Sequence, residues 1–224
     1  MLIHGAATTA AIWGRLSETL ADFVEVSTPQ RAYSGVWEAE LDDLAELCAG
    51  SFVVGVSGGA TLGLGLVQRG VPVRGAVLHE PAAGSLAPRL LDAVVTAMAT
   101  GGPPALGSAL YGGGWKPSML PASPDAVARD LAMFRGFEPA PAPEPMIGVL
   151  LTVGEHSPAI RHDSVAAIAR LTGARTGVIP GGLHAVHVDS VPAFAAVIMA
   201  ELGSSNATAR SVDAARAHPS TKGI

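Results

Sequence analysis

The stretch Ser51-Phe52-Val53-Val54-Gly55-Val56-Ser57-Gly58-Gly59-Ala60 decides the fold of this chain. An apolar run typical of a buried strand leads into Gly-x-Ser-x-Gly, and a helix-forming run follows it. A serine at so tight a turn takes a strained backbone, and glycines two residues before and after it avoid a collision. The pattern predicts that Ser57 presents a nucleophilic hydroxyl above a sheet. The alternative, a glycine-rich turn whose serine caps a helix, is disfavoured by the strand before it and the helix after it.

On both sides of this stretch, short apolar runs alternate with longer Ala-rich helical patterns, which is typical of a parallel sheet covered by helices on both faces. The predicted fold class is therefore α/β. Strands are predicted at residues 1–4, 23–27, 52–56, 75–79, 147–153 and 175–179. Helices are predicted near residues 11–20, 37–49, 60–69, 164–171 and 192–202.

One connection is far longer than an ordinary crossover between strands. Residues 81–145 contain two helix-like patterns, at 90–99 and 125–134, and end in a proline-rich run. Long insertions of this kind are typical of functional lids, so we expect a helical cap inserted into a single domain of residues 1–202. From Gly203 onward the composition turns polar without an apolar stripe, which predicts a disordered or loosely docked surface tail at 203–224.

Composition excludes several classes of partner. The chain has 224 residues, 49% of them hydrophobic, and its net charge is −5. Its 14 Lys and Arg residues are scattered without a basic run, which argues against binding to nucleic acid. No apolar stretch approaches the roughly 20 residues that span a bilayer, so no membrane partner is expected. Folded sequence follows Met1 at once, without room for a leader, and we expect a cytoplasmic protein.

The chain opens with Leu2-Ile3-His4-Gly5-Ala6-Ala7, a strand that ends in His-Gly. Together with the turn at Ser57, this segment resembles the α/β-hydrolase superfamily. The resemblance implies a three-layer fold in which the backbone N–H groups of Ala6 and Gly58 form an oxyanion hole. It also implies that His4 has a structural role, orienting the loop through a hydrogen bond.

A histidine loop stands near the end of the chain, in Val178-Ile179-Pro180-Gly181-Gly182-Leu183-His184-Ala185-Val186-His187-Val188-Asp189. This segment resembles the last strand of the superfamily with the loop and helix that follow it. The resemblance makes His184 the general base, a role that suits its ordinary pKa. His187 is the competitor, but the Gly-Gly-x-His spacing favours His184. His187 and Asp189 lack a third ligand at a zinc spacing, so we expect no metal and no cofactor.

The segment that carries the catalytic acid in most of the superfamily departs from the usual pattern. Where Gly-x-x-Asp is usual, this chain has Gly154-Glu155-His156-Ser157. A serine cannot stabilise an imidazolium electrostatically, so either another carboxylate serves or the protein is catalytically impaired.

Glu80 is the favoured substitute for the missing acid. It ends the strand that follows the nucleophile's helix, and the resemblance extends to branches of the superfamily with the acid in that place. The order Ser57, Glu80, His184 also keeps the sequence of nucleophile, acid and base. Glu155, Asp163 and the absence of any acid are the alternatives, and Glu80 could instead be a carboxylate that starts a helix beside Pro81.

A second departure is the start of the chain, because superfamily members usually carry a strand hairpin before the His-Gly strand. Either the sheet is smaller here or the natural chain starts upstream. The resemblance covers about residues 1–202.

The resemblance implies hydrolysis of an ester or lactone through an acyl-enzyme intermediate. We expect a small-molecule substrate of small to medium size and hydrophobic character, and a homodimer is possible. An apolar roof over the substrate is predicted from cap residues Tyr111, Trp115, Met133 and Phe134, although each could equally pack within the cap. The rival interpretations are a catalytically impaired ligand-binding or scaffold protein, and a cofactor-free lyase or cyclase on the same fold.

Overall fold

Over residues 1–142 and 144–217, which the computed structural model describes, five strands form one parallel sheet in the order β1-β2-β3-β4-β5. The strands are β1 (Leu2–Ile3), β2 (Phe52–Val56), β3 (Gly75–His79), β4 (Val149–Gly154) and β5 (Arg175–Ile179). The side chains of β2, β3 and β4 are buried throughout, because helices flank the sheet. The predicted α/β class is confirmed.

Eight α-helices accompany these strands in the described part of the chain. They are α1 (Gly14–Ala21), α2 (Trp37–Cys48), α3 (Gly58–Gln68), α4 (Asp92–Tyr111), α5 (Pro124–Arg135), α6 (Ala159–Thr172), α7 (Val186–Asp189) and α8 (Val191–Ala217). Helix α1 packs against α8, and α2 packs against α3. Helices α2 and α3 approach closely because Gly65 has no side chain: a Cβ there would lie only 2.5 Å from the Trp37 ring.

The strand predicted at residues 23–27 is wrong. This segment is not a strand, and a single backbone bond, 2.8 Å from Leu2 N–H to the Ser27 carbonyl, joins it to β1. Only two residues of β1 take part in the sheet, so little strand is offered for a further ladder. The side chain of Phe23 is 68% exposed, as expected of a segment without a partner sheet.

Helices α4 and α5 lie between β3 and β4, in the connection where the sequence predicts a cap. Helix α4 is longer than the predicted 90–99 segment and is kinked at Gly102, whose φ is 64°. The kink comes just before Pro103 and Pro104, which can begin a new helical segment but cannot continue one.

The last helix also exceeds its prediction. Helix α8 was expected to end near Leu202 but continues to Ala217, so the first part of the predicted irregular tail is helical. Residues 218–224 of that tail lie outside the described residues. None of the described helices is at once long enough and apolar enough to cross a bilayer.

Candidate active site

Ser57 lies at the sharp turn between β2 and α3. Its backbone φ is 56° and its ψ is −122°, a strained conformation for a residue with a side chain. The glycines around it are required by contact: a Cβ on Gly55 would lie 2.4 Å from the Gly59 carbonyl oxygen, and one on Gly59 would lie 1.9 Å from that of Ile3. The turn therefore has the form that the sequence pattern predicts for a nucleophile elbow.

Glu80 follows β3 at the same edge of the sheet. Because β2 and β3 are parallel neighbours, the residues that follow them, Ser57 and Glu80, emerge together. The Glu80 side chain is 1% exposed, and its Oε2 lies 2.7 Å from Nδ1 of His184. The other ring nitrogen of His184, Nε2, is buried and has no hydrogen-bond partner among the described residues. Nδ1–H therefore donates to Glu80, and Nε2 keeps a lone pair that can accept a proton.

The Glu80 carboxylate receives donors at both oxygens. Oε1 accepts the Gly154 N–H at 3.0 Å and the Ser157 hydroxyl, while Oε2 also lies 3.1 Å from Nη1 of Arg161. Ser157, which stands where the resemblance expects an acid, is thus a donor to the carboxylate that takes its place. Sequence analysis missed this pairing and the contact of Arg161, because both depend on side chains from a different strand connection.

The charges of this cluster follow from its contacts. Burial alone would raise the pKa of Glu80, but the hydrogen bond from His184 and the charges around it hold that pKa well below its usual range. Burial lowers the pKa of His184, and the positive charge of Arg161 lowers it further, against the opposing influence of Glu80. At neutral pH the cluster therefore holds an ionised Glu80 beside a neutral His184.

His79, the residue before Glu80, supports the histidine loop. Its Nε2 lies 3.1 Å from the carbonyl oxygen of Leu183, and its Nδ1 lies 3.0 Å from the Thr152 hydroxyl. Burial lowers the pKa of His79 to about 4, so the ring is neutral and can donate at one nitrogen while it accepts at the other. It thereby ties the backbone next to His184 to β3 and β4.

His187, the competing base, lies among aromatic rings. Its ring is 4.6 Å from that of Trp13 and meets Tyr111 edge to face, with 5.7 Å between ring centroids. Burial lowers the pKa of His187 well below its ordinary value. In the described residues it makes no hydrogen bond to Glu80, whereas His184 does.

The two alternative acids lie away from His184. Glu155 is exposed, and its carboxylate accepts the N–H of Gly181 at 2.7 Å. Asp163 is exposed on α6. Among the described residues, Glu80 is the carboxylate that hydrogen-bonds to the His184 ring.

The predicted oxyanion loop is hydrogen-bonded to two aromatic side chains from the connection between β3 and β4. The N–H of Ala6 lies near Gly58, since a Cβ on Gly58 would be 3.2 Å from the Ala6 nitrogen. The Tyr111 hydroxyl donates to the Ala6 carbonyl at 2.7 Å, and Nε1–H of Trp115 donates to the Ala7 carbonyl at 2.9 Å. Ala7 itself has a left-handed φ of 53°, so the loop takes a conformation that these contacts stabilise.

The same loop is also hydrogen-bonded to Arg31 and Tyr33. The Tyr33 hydroxyl donates to the Thr8 carbonyl, and the Arg31 guanidinium donates to the Gly5 carbonyl at 3.3 Å. His4 bonds as expected of a structural residue, with Nδ1 3.1 Å from the Gly5 carbonyl and Nε2 accepting the Arg31 N–H at 3.2 Å. The loop is therefore fixed at successive carbonyl groups.

A buried ion network joins the cap to this loop. Arg31 pairs with Glu40 of α2 at 2.9 Å and with Asp130 of α5, and all three side chains are almost completely buried. The guanidinium also lies over the Phe134 ring, 5.3 Å from its centroid. No local sequence signal marks this network, because Asp130 is 99 residues from Arg31 along the chain.

Two cavities meet at the site. A small one of about 30 Å³ is lined by Ala6, Ser57, Gly58, Thr61, Glu80, Ala82, Leu90, Leu91, Val94, Leu110, Leu131, Phe134 and Arg161. A larger groove of about 500 Å³ is lined by Arg89, Leu90, Ala93, Val94, Ala109, Leu110, Tyr111, Gly112, Pro158, Ile160, Arg161, Leu183, His184, Ala185 and Asp189. Four residues line both the cavity and the groove and form the wall between them: Leu90, Val94, Leu110 and Arg161.

The four predicted roof residues divide into two groups. Phe134 lines the cavity that contains Ser57, and Tyr111 lines the groove. Trp115 and Met133 are buried and line neither of these two cavities. For Trp115 the physical reason is its indole N–H, which is directed to the Ala7 carbonyl.

No family model and no curated protein matches this sequence. Solved structures do resemble it. An esterase from Thermogutta terrifontis, solved with malate bound, is 20% identical over 91% of this chain and 89% of its own, with a TM-score of 0.69.

Two further solved structures share this likeness. A hydrolase from Pseudomonas aeruginosa PA01 is 18% identical over 90% of this chain and 88% of its own, with a TM-score of 0.65. An enol-lactonase from Burkholderia xenovorans LB400 is 17% identical over 90% of each chain, with a TM-score of 0.61. With the parallel sheet and its flanking helices, these likenesses identify the fold of this chain as that of the α/β hydrolases.

Proposed function

We propose that this protein is a serine hydrolase that cleaves a carboxylic ester or lactone through an acyl-enzyme intermediate. The proposal rests above all on the hydrogen bond of 2.7 Å between Glu80 Oε2 and His184 Nδ1. This bond leaves His184 Nε2, which has no partner among the described residues, able to accept a proton. Ser57, on its strained turn, lines the same small cavity as Glu80. A nucleophile, a base and an orienting acid are the three parts that such chemistry needs.

In the first half of the reaction, Ser57 Oγ attacks the carbonyl carbon while its proton moves to Nε2 of His184. Glu80 stabilises the imidazolium that forms, through the bond at Nδ1. The N–H groups of Ala6 and Gly58 bind the oxyanion, each contributing about 2.7–4 kcal/mol by analogy with measured deletions. The proton then passes to the leaving oxygen, the carbon–oxygen bond breaks, and the acyl group stays on Ser57.

In the second half, water attacks the acyl carbon and gives its proton to His184. His184 then donates this proton to Ser57 Oγ as the bond between that oxygen and the acyl carbon breaks, which releases the carboxylic acid. The neutral state of His184 at the start of each half is favoured by its burial and by Arg161. No step requires a cofactor.

The small size of the cavity beside Ser57 favours a substrate with a short acyl group. A space of about 30 Å³ beside Ser57 has room for only a small substituent, and its walls are mostly apolar. The solved structures that resemble the chain include an esterase and an enol-lactonase, which supports ester or lactone substrates. The proposed substrate is therefore a small molecule with a short acyl chain.

Hydrolysis of 4-nitrophenyl acetate tests the proposal. The change Ser57→Ala should lower kcat by at least about 10³-fold, since loss of a nucleophile removes the covalent route. The matched control Ser17→Ala changes a half-buried serine of α1, whose hydroxyl donates to the Gly14 carbonyl, and should leave kcat unchanged. Turnover by Ser57→Ala equal to that of the wild type, or no turnover of any short-chain ester by the folded wild type, would contradict the proposal.

A further inference from the structure

Arg161 occupies a place that the proposed triad does not explain. It lies in the first turn of α6, its side chain is only 14% exposed, and it lines both the cavity of Ser57 and the groove of His184. A cation in the first turn faces the positive end of the helix dipole, which is unfavourable by roughly 0.3–1 kcal/mol. Stability of the helix therefore does not account for an arginine here.

The guanidinium has unused hydrogen-bonding capacity. Nη1 lies 3.1 Å from Glu80 Oε2, which is the one ion pair of the guanidinium within the described residues. An arginine carries several further N–H donors in a planar fork. Those of Arg161 are not among the buried unpaired polar atoms of the described residues, so they are open to solvent and to a bound ligand. A ligand that enters the site can reach these donors, because Arg161 forms part of the wall on both sides.

From this position we infer that Arg161 binds a carboxylate of the substrate, so that the preferred substrate is a short-chain ester or lactone bearing a carboxylate group. The inference rests on the proposed function and names the substrate class of the same site. A carboxylate matches the planar fork of a guanidinium and can accept two parallel N–H bonds from it. The short acyl group occupies the cavity, and the carboxylate-bearing part lies in the groove.

The other surfaces of the groove fit this arrangement. Leu90, Val94, Leu110 and Ile160 provide apolar walls. Two further charged groups line the groove, Arg89 and Asp189, but both are exposed, and Arg89 is 86% exposed and paired with Asp92. Exposed charges are screened by water and contribute little, so the largely buried Arg161 is the cation that discriminates between ligands.

The competing role for Arg161 is to position Glu80 alone. In that case its loss would slow the hydrolysis of all esters equally, through kcat. Binding of a substrate carboxylate instead predicts a loss confined to charged substrates and expressed mainly in KM. The two roles are therefore separated by a pair of substrates that share an acyl group and differ only in charge.

The esters 4-acetoxybenzoate and 4-acetoxybenzamide form such a pair, with kcat/KM for each corrected by its own rate of alkaline hydrolysis. We expect the wild type to prefer the carboxylate by about 10- to 100-fold, the range of a hydrogen bond to a charged group. Arg161→Gln should lower this preference to about one, mainly through KM. The control Arg170→Gln removes an exposed arginine from the same helix and should keep the preference.

Equal losses on both esters in Arg161→Gln, or no preference in the wild type, would overturn the inference. If the glutamine variant does not fold, Arg161→Lys decides, because it keeps the charge without the fork: a reduced preference supports the inference and an unchanged one overturns it. Calorimetric binding of benzoate and benzamide to the wild type separates this test from the proposed function. Tighter binding of benzoate that Arg161→Gln abolishes supports the carboxylate site even without turnover, and equal binding contradicts it.

Discussion

At the scale of single residues, the carboxylate that contacts His184 follows a different strand from the one after which the resemblance usually places an acid. Glu80 follows β3, while Ser157, after β4, donates to it. A hydroxyl therefore stands where a carboxylate is usual, and the carboxylate that contacts the histidine ring follows the neighbouring strand. The serine that raised the possibility of an impaired protein is thus part of the support of the acid.

The bond between Glu80 and His184 predicts a large effect of Glu80→Gln on kcat. The amide keeps the shape of the side chain but loses the charge that stabilises the imidazolium, so kcat should fall by roughly 10³- to 10⁴-fold with little change in KM. Glu155→Gln is the matched control, because Glu155 is the alternative acid and contacts only the Gly181 N–H. Steady-state kinetics on 4-nitrophenyl acetate measures both, and a larger loss in the control would transfer the role to Glu155.

The pH dependence of kcat/KM is also set at this scale. Catalysis needs the neutral imidazole, so activity falls as the pH falls through the pKa of His184. Burial and Arg161 lower that pKa from its ordinary 6.5, so the acid limb should lie below pH 6.5. Arg161→Gln removes a nearby positive charge, raises the pKa and should move the limb to higher pH. A pH series on a neutral ester checks this, and a limb that moves to lower pH would be evidence against it.

At the scale of elements, the connection between β3 and β4 holds the loop that carries the proposed oxyanion donor Ala6. Tyr111, at the end of α4, donates its hydroxyl hydrogen to the Ala6 carbonyl. The N–H of Ala6 belongs to the proposed oxyanion hole. Tyr111→Phe leaves that buried carbonyl without its donor, so the free energy of unfolding should fall by about 1–3 kcal/mol. We also expect kcat to fall by about three- to tenfold, because the donor is less well held. Urea denaturation and kinetics measure the two effects, and a loss of stability without a loss of kcat would separate the cap from catalysis.

The elements also explain how much the sequence could predict. The turn at Ser57 and the loop at His184 are local patterns, and their backbone demands appear in the sequence as glycines. Glu80 could be favoured because strand order places it at the edge where Ser57 emerges. The strand at 23–27 was overpredicted, because its apolar alternation gives no information on whether β1 is long enough to pair with it. The bond from the Trp115 indole N–H to the Ala7 carbonyl could not be predicted, because aromatic character does not reveal where an indole N–H finds its acceptor.

At the scale of the whole molecule, the network of Arg31, Glu40 and Asp130 joins the cap to the rest of the fold. Asp130→Ala leaves the buried Arg31 without one of its partners, and the free energy of unfolding should fall by about 3–5 kcal/mol. Asp125→Ala, an exposed change in the first turn of the same helix, should cost less than about 1 kcal/mol. Chemical denaturation compares the two variants, and equal effects would show that the network does not stabilise the fold.

This network could not be predicted from the sequence. Arg31 and Asp130 are separated by most of the inserted cap, and each by itself is an ordinary charged residue. Their pairing depends on how α5 docks, which is decided by the packing of the whole molecule. The same holds for Arg161, whose contact with Glu80 follows from the placement of α6 against β4, the neighbour of β3 in the sheet.

The central claim is that the hydroxyl of Ser57 is activated by the pair of His184 and Glu80. Reaction of the folded protein with a fluorophosphonate probe, followed by mass spectrometry of its peptides, tests this most directly. The account predicts one probe molecule per chain, attached to Ser57, and sharply slower labelling in His184→Ala. Labelling of a different residue, or none on a protein with its native circular dichroism spectrum, would contradict it.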